Sequence, residues 1–284
     1  MVVGKSARVY GRGMDDGLFD DAAVIRRVAR EGFLLAGGGR ATLLQIAHPG
    51  VARGVYEHSD FAERPLDRLR TTMSYVFGVL FGTVEEGRAI SRAVAARHRT
   101  VTGPGYRADD PDLQVWVNAT LYDTAVLIYE RVFGRLGAAE LDECFRQYRV
   151  LATSIGCPEE AWPVDRAAFT AYWDHTVGTL RVGDEAREIA AALMRPRNIP
   201  LVLRPATPLN RLVTVGLLPE PIRAGFGYTW SPGRQRAFDA FFRAAAVTCP
   251  RLPARLRDVA KDHYLGDLRR RLARRRNPLT TDGR

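Results

Sequence analysis

The residues best placed to do chemistry lie between His58 and Gly103. Arg68, Thr71, Thr72 and Tyr75 recur at i, i+3, i+4 and i+7, which puts them on one face of a helix predicted from Pro65 to Leu80. Leu69, Met73, Val76 and Leu80 form the other stripe. Such a polar stripe either faces water, as on most amphipathic helices, or lines an internal cavity. In a cavity, a guanidinium and hydroxyls could hold a carboxylate or polarise dioxygen. His98 lies on the next predicted helix, 85–101, with Gly87, Ser91, Val94, Ala95 and Val101 on its own face. Arg88, Arg92, Arg97 and Arg99 point elsewhere on that wheel. An inward imidazole beside small Ser91 and Ala95 leaves space for a broad, flat group. Ligation of haem iron is one use of that arrangement; a core histidine bonded to a carbonyl is the other.

The remaining candidates carry weaker signals. His48 precedes Pro49 at a bend and reads as bonding backbone. His58-Ser59-Asp60 reads as a helix-capping turn. Glu57 is either a general base or an ordinary surface carboxylate. His175 and His263 sit on charge-rich helices and read as surface residues. Cys144, Cys157 and Cys249 are odd in number and far apart, which fits buried free thiols rather than a zinc site or disulfide framework. Gly37-Gly38-Gly39-Arg40 follows a helix rather than a strand, against a dinucleotide loop.

The elements that must position these groups are almost all helical. Asp20 or Asp21 can cap a helix through Val24, Ile25, Val28 and Phe33, which Gly37–Gly39 breaks or kinks. Residues 40–47 resume it until His48-Pro49 ends it. Thr83 and Glu86 make a capping box. Further helices are predicted over 111–133, 140–155, 165–180, 184–194, 208–216, 234–247 and 256–276. Leu201–Leu203 reads as extended loop between prolines. The expected architecture is a flexible arm at 1–17, one all-α domain over 18–276 and a tail at 277–284.

Composition narrows the function class. The chain carries a net charge of +10, and only Lys5 and Lys261 among its 42 basic residues are lysine. That skew reads as codon bias more than as selection for a partner. The C-terminal arginines 269, 270, 271, 274, 275 and 276 read first as a solvated helix end suited to the helix dipole, ahead of a membrane surface or nucleic acid. The sequence holds no zinc finger, RNP-like pattern, Walker loop or G-x-S-x-G motif. No uninterrupted apolar run of eighteen residues predicts a transmembrane span, and no secretory signal is read at the N-terminus. A cytoplasmic protein is expected; its oligomeric state is not readable.

Several short pieces, in order, resemble the latex-clearing proteins (rubber oxygenases) and MpaB-type oxygenases. They are Leu43-Leu44-Gln45-Ile46-Ala47-His48-Pro49, His58-Ser59-Asp60-Phe61, Pro65-Leu66-Asp67-Arg68-Leu69-Arg70-Thr71-Thr72, Phe81-Gly82-Thr83, His98, Tyr106-Arg107-Ala108-Asp109-Asp110-Pro111 and Trp116-Val117. The similarity runs from about residue 25 to 230. It implies a globin-like helical bundle around a haem b pocket, with His98 as the proximal iron ligand and Arg68 and Thr72 on the distal side. Where rubber oxygenases carry a lysine able to cap the iron, this chain has Thr71. Thr102 and Asn118 stand where the family often has arginine and histidine. The implied reaction uses O2 on a hydrophobic small molecule, by analogy an oxidative C=C cleavage of an isoprenoid, lipid or polyketide-like chain. A haem oxidase, dehydrogenase or peroxygenase and a non-catalytic haem-binding protein are the alternatives.

Overall fold

Long α-helices account for most of the chain, as its 3.6-residue apolar periodicity predicts. The computed structural model describes residues 17–59, 65–196 and 201–276. The predicted arm and tail lie outside these, apart from residue 17. In order the helices are α1 (Val24–Ala29), α2 (Gly38–Ala47), α3 (Pro49–His58), α4 (Pro65–Phe81), α5 (Val84–Thr100), α6 (Pro111–Phe133) and α7 (Ala138–Thr153). They continue with α8 (Arg166–Thr179), α9 (Asp184–Met194), α10 (Thr207–Leu217), α11 (Glu220–Gly225), α12 (Pro232–Thr248), α13 (Ala254–Arg257) and α14 (Val259–Arg276). Among the described residues the only sheet is a hairpin of two-residue strands, β1 (Thr102–Gly103) and β2 (Tyr106–Arg107), paired antiparallel.

Helix α6 is the axis of the fold. Val115, Ala119 and Tyr122 enter one buried cluster with α1, α4, α5 and α7. Leu113 and Trp116 enter a second with α2, α3 and α9, and Ile128 and Val132 a third with α10 and α12. A helix apolar on every side is a buried helix. Tyr122 anchors the first cluster through edge contacts with Phe145, Tyr148 and Phe169 at 5.0–5.3 Å between ring centres.

Local chemistry sets the helix ends. The α5 capping box forms as predicted, with Glu86 N donating to Thr83 Oγ1 at 3.1 Å and Thr83 N to Glu86 Oε2 at 3.0 Å. Asp110 Oδ1 accepts from Asp112 N at 2.9 Å to start α6. The glycine triplet does not break a long helix. The chain leaves α1 at Ala29, passes through a 3₁₀ turn at Gly32–Gly37, and α2 begins at Gly38. Packing explains two of the three glycines: a Cβ on Gly37 would stand 2.4 Å from Ile128 Cδ1 of α6, and one on Gly39 2.2 Å from Thr214 Oγ1 of α10.

Other expectations change too. The sequence reading leaves 49–58 without an element, yet His48 caps α3 there. Leu201–Ala206 is a 3₁₀ helix rather than extended loop. The C-terminal arginines are only partly a solvated end. Arg269 pairs with Glu86 at 2.8 Å, and Arg271 Nη2 donates to Ser74 Oγ at 2.5 Å. Arg70 of α4 in turn holds Asp267 of α14 through two bonds at 2.8 and 2.9 Å. These ties lay α14 along α4. Cys144 and Cys157 are buried free thiols, and Cys249 is free but only half-buried.

Candidate functional site

A cavity of about 590 Å³ opens between α2, α3, α4, α5, α6 and α14. It falls in the size range of about 300–1,000 Å³ common to small-molecule and cofactor sites. The α4 stripe faces this cavity: Arg68, Thr71, Thr72 and Tyr75 all line it, together with Asp67. Of the two readings left open by the spacing, the cavity is the one realised for Arg68, Thr72 and Tyr75, because α14 and α5 cover the helix on either side, while Thr71 at the rim also meets solvent.

The four side chains are not equivalent. Tyr75 spends its hydroxyl on the protein, donating to Leu151 O and meeting Ser154 Oγ at 2.7 Å. Thr71 Oγ1 donates to Asp67 O at 2.9 Å within its own helix. Thr72 makes no side-chain hydrogen bond among the described residues and so offers the cavity a hydroxyl. Arg68 likewise has no hydrogen bond or ion pair among the described residues. Burial lowers its pKa from the usual arginine value with no carboxylate acting against the shift. A guanidinium without a partner inside a protein is costly, so its position calls for an anion or a strong acceptor.

His98 lines the same cavity from α5. Its Nδ1 is buried without a hydrogen-bond partner, and the ring makes no hydrogen bond to any described residue. Burial first, and the positive charge of Arg68 second, hold its pKa below the usual histidine value, with Asp109 pulling weakly the other way. The imidazole is therefore neutral at neutral pH, with a lone pair available. The core-histidine reading, a ring bonded to a carbonyl, does not describe His98.

Ser91 and Ala95 fall outside the lining. Ser91 is buried and Ala95 packs on the first core cluster. A Cβ added to Gly87, one turn earlier, would stand 3.4 Å from Gly78 O and 3.6 Å from Val79 Cα of α4. The small residues beside His98 thus serve close packing on α4 rather than making room for a ring. The cavity side of α5 is instead Ile90, Ala93, Val94, Arg97 and Val101. Arg97, expected to point away, lines the cavity and donates to His58 O at 3.2 Å. His98 sits at one edge of this broad face and Arg97 lies 100° around it. The signal for Arg97 was its run of small or apolar neighbours at 90, 93, 94 and 101.

Other histidines separate cleanly. His58 also lines the cavity, with Nε2 at 3.2 Å from Thr102 O; the capping turn expected at His58-Ser59-Asp60 runs outside the described residues. His48 Nδ1 accepts from Gly50 N at 3.2 Å, the backbone role expected. His175 and His263 are exposed. Glu57 lies outside the lining and accepts from Tyr106 OH at 2.5 Å. Buried amides unassigned by the sequence, Gln45 and Gln114, also stand in the cavity wall, together with Asn118, noted only as a departure from the family pattern, and Arg271 of α14, expected to be solvated. For Gln45 and Gln114 the available signal was a polar residue inside an apolar run, Leu44-Gln45-Ile46 and Leu113-Gln114-Val115.

Fold and site together define an all-α protein with a largely apolar cavity carrying one unpaired guanidinium, Arg68, and one free imidazole, His98. Residues 25–247 match the family model described as ER-bound oxygenase mpaB/B'/Rubber oxygenase, catalytic domain, and the chain belongs to that family. It is also similar to two uncharacterized proteins, one of Mycobacterium bovis and one of Mycobacterium tuberculosis. Each is 32% identical over 237 residues, covering 80% of this chain and 93% of the relative. No solved structure matches the chain. Helix α14, which supplies Leu268, Arg271 and Leu272 to the cavity, lies beyond the family-matched span. Among the described residues no helix is long and apolar enough to cross a membrane.

Proposed function

We propose that this protein is a haem b-dependent oxygenase acting with O2 on a hydrophobic small molecule, by analogy through oxidative cleavage of a C=C bond in an isoprenoid, lipid or polyketide-like chain. The observation that carries the reading is the pairing in one cavity of a neutral, unpartnered imidazole and an unpaired guanidinium. Among the described residues no group of three or more His, Cys, Asp or Glu could hold a metal ion. A lone imidazole suits a metal that brings its own ring of ligands, as haem iron does. Arg68 and Arg97 against Asp67 leave the lining cationic even with Arg271 paired to Asp267 at 3.1 Å, which suits the carboxylates of haem.

Haem, when bound, supplies the activation of dioxygen. The chain's residues do the rest. His98 presents its lone pair, kept unprotonated by burial and by Arg68. Arg68 and the free Thr72 hydroxyl place donors where negative charge would develop, and such preorganised donors are worth most in a site that excludes water. Val51, Val55, Leu113, Val117 and Leu121 give an apolar substrate a surface. Thr71 is turned into its own helix and, at that position, offers no amine to close the site. An oxidase, dehydrogenase or peroxygenase would use the same residues.

The test is the absorption spectrum of the purified protein, oxidised and reduced, beside His98→Ala. A Soret band is expected in the wild type, lost or strongly shifted in the variant. An unchanged band in His98→Ala would remove His98 as ligand.

A further inference from the structure

We propose that the cavity wall formed by α2 and α6 is a subsite for an uncharged hydrogen-bonding group, so that the substrate is an apolar molecule carrying a hydroxyl rather than a bare hydrocarbon. This rests on reading the cavity as the substrate site. Gln45, Gln114 and Asn118 line it while remaining only 6%, 4% and 2% exposed. Buried amides are normally matched by partners. Gln114 is not: its side chain makes no hydrogen bond to any described residue, its Oε1 being shut in by burial and its Nε2 left as the group presented to the cavity. Gln45 uses only Nε2, on Thr120 Oγ1 at 3.2 Å, and Asn118 only Nδ2, on Gln114 O at 2.9 Å. Gln45 and Asn118 each keep an unused acceptor, and Gln114 an unused donor.

The three belong together. Gln114 and Asn118 are i and i+4 on α6, and the bond to Thr120 fastens Gln45 of α2 against the same helix. Exchanging O and N of the Gln114 amide would turn an orphan acceptor into an orphan donor and leave the group equally unmatched. A hydroxyl both donates and accepts, so it satisfies the amide in either orientation. A carboxylate or ammonium would find no opposite charge on these side chains to offset its desolvation. The cations of the cavity stand on other helices, Arg68 on α4, Arg97 on α5 and Arg271 on α14. The lining therefore divides into a cationic side and a neutral amide side.

The experiment titrates the full-length protein, loaded with haem, with a ten-carbon isoprenoid alcohol and with the hydrocarbon of the same skeleton, by calorimetry. Wild type is expected to bind the alcohol about tenfold more tightly or better, the scale of an unmatched buried polar group. Gln114→Leu, nearly equal in volume, is expected to bring that preference below about twofold while binding the hydrocarbon at least as well. Asn118→Leu should weaken the preference independently, and decides the matter if thermal melts show Gln114→Leu to be unfolded. Equal affinities in the wild type, no binding of the alcohol, or a preference intact in the folded variants would overturn the proposal. A missing Soret band would refute the haem reading alone; the alcohol preference needs no haem and is still read on the same protein.

Discussion

Replacing Arg68 with methionine should have effects of opposite sign on the ligand-free and haem-loaded protein. Arg68 lines the cavity without a partner among the described residues, and burial alone shifts its pKa, downward. Methionine keeps the apolar stem and removes the stranded charge. Leaving a buried polar group unmatched costs about 1–3 kcal/mol, and the lower half of that range applies here because the cavity keeps Arg68 partly exposed. At about 2–4 °C per kcal/mol in a domain of this size, the ligand-free Arg68→Met protein should melt higher by roughly 2–8 °C. If Arg68 meets a haem carboxylate, as the proposed cofactor allows, the same change removes a charge-assisted bond worth about 1.5–3 kcal/mol, and haem affinity should fall about tenfold to a hundredfold. Calorimetric melts of the haem-free protein and haem titration followed at the Soret band read the two arms. Arg68→Lys should restore charge but not the bidentate fork, and so lie between. A lower melting temperature in ligand-free Arg68→Met, or unchanged haem affinity, would show that Arg68 is not an unpaired cation held for a ligand.

Two further predictions concern the scaffold. Burial holds the His48 pKa below its usual 6.5, and its Nδ1 must stay unprotonated to accept from Gly50 N. The unfolded chain therefore takes up the proton first, and stability should fall as pH drops below about 6.5. His48→Asn keeps a capping acceptor without a titrating group, and urea melts at pH 7.5 and 5 should show a smaller acid loss in the variant; an equal loss would acquit His48. Gly39→Ala forces a Cβ to 2.2 Å from Thr214 Oγ1 and should cost about 1–3 kcal/mol through overpacking. Adding Thr214→Ala should recover most of that in a double-mutant cycle, since Thr214 Oγ1 is buried without a partner; additive losses would place the strain elsewhere.

Much of the helical scaffold, and one face of the site, could be read without coordinates. The 3.6-residue periodicity, the Thr83–Glu86 box and the prolines at helix starts act within a few residues of themselves, and these local rules placed the main helices. The same locality explains why Arg68, Thr71, Thr72 and Tyr75 could be assigned to one stripe. The order of short motifs pointed to the oxygenase family that the family model supports.

Tertiary structure alone decided which way each face turns. The stripe on α4 lines a cavity rather than meeting water because α14, some two hundred residues later, is tied across that helix by Arg70–Asp267 and Arg271–Ser74. Long-range pairs of this kind leave no periodic trace in either segment. The wheel around His98 fixed the angles of Ser91, Ala95 and Arg97 but not the position of the neighbouring helices. Close packing at Gly87 took the small-residue side for α4 and left Arg97 on the cavity side. Composition and spacing set which side chains travel together; the meeting of α2, α4, α5, α6 and α14 settles which remain unpaired, and the unpaired groups are the ones left to act on a ligand.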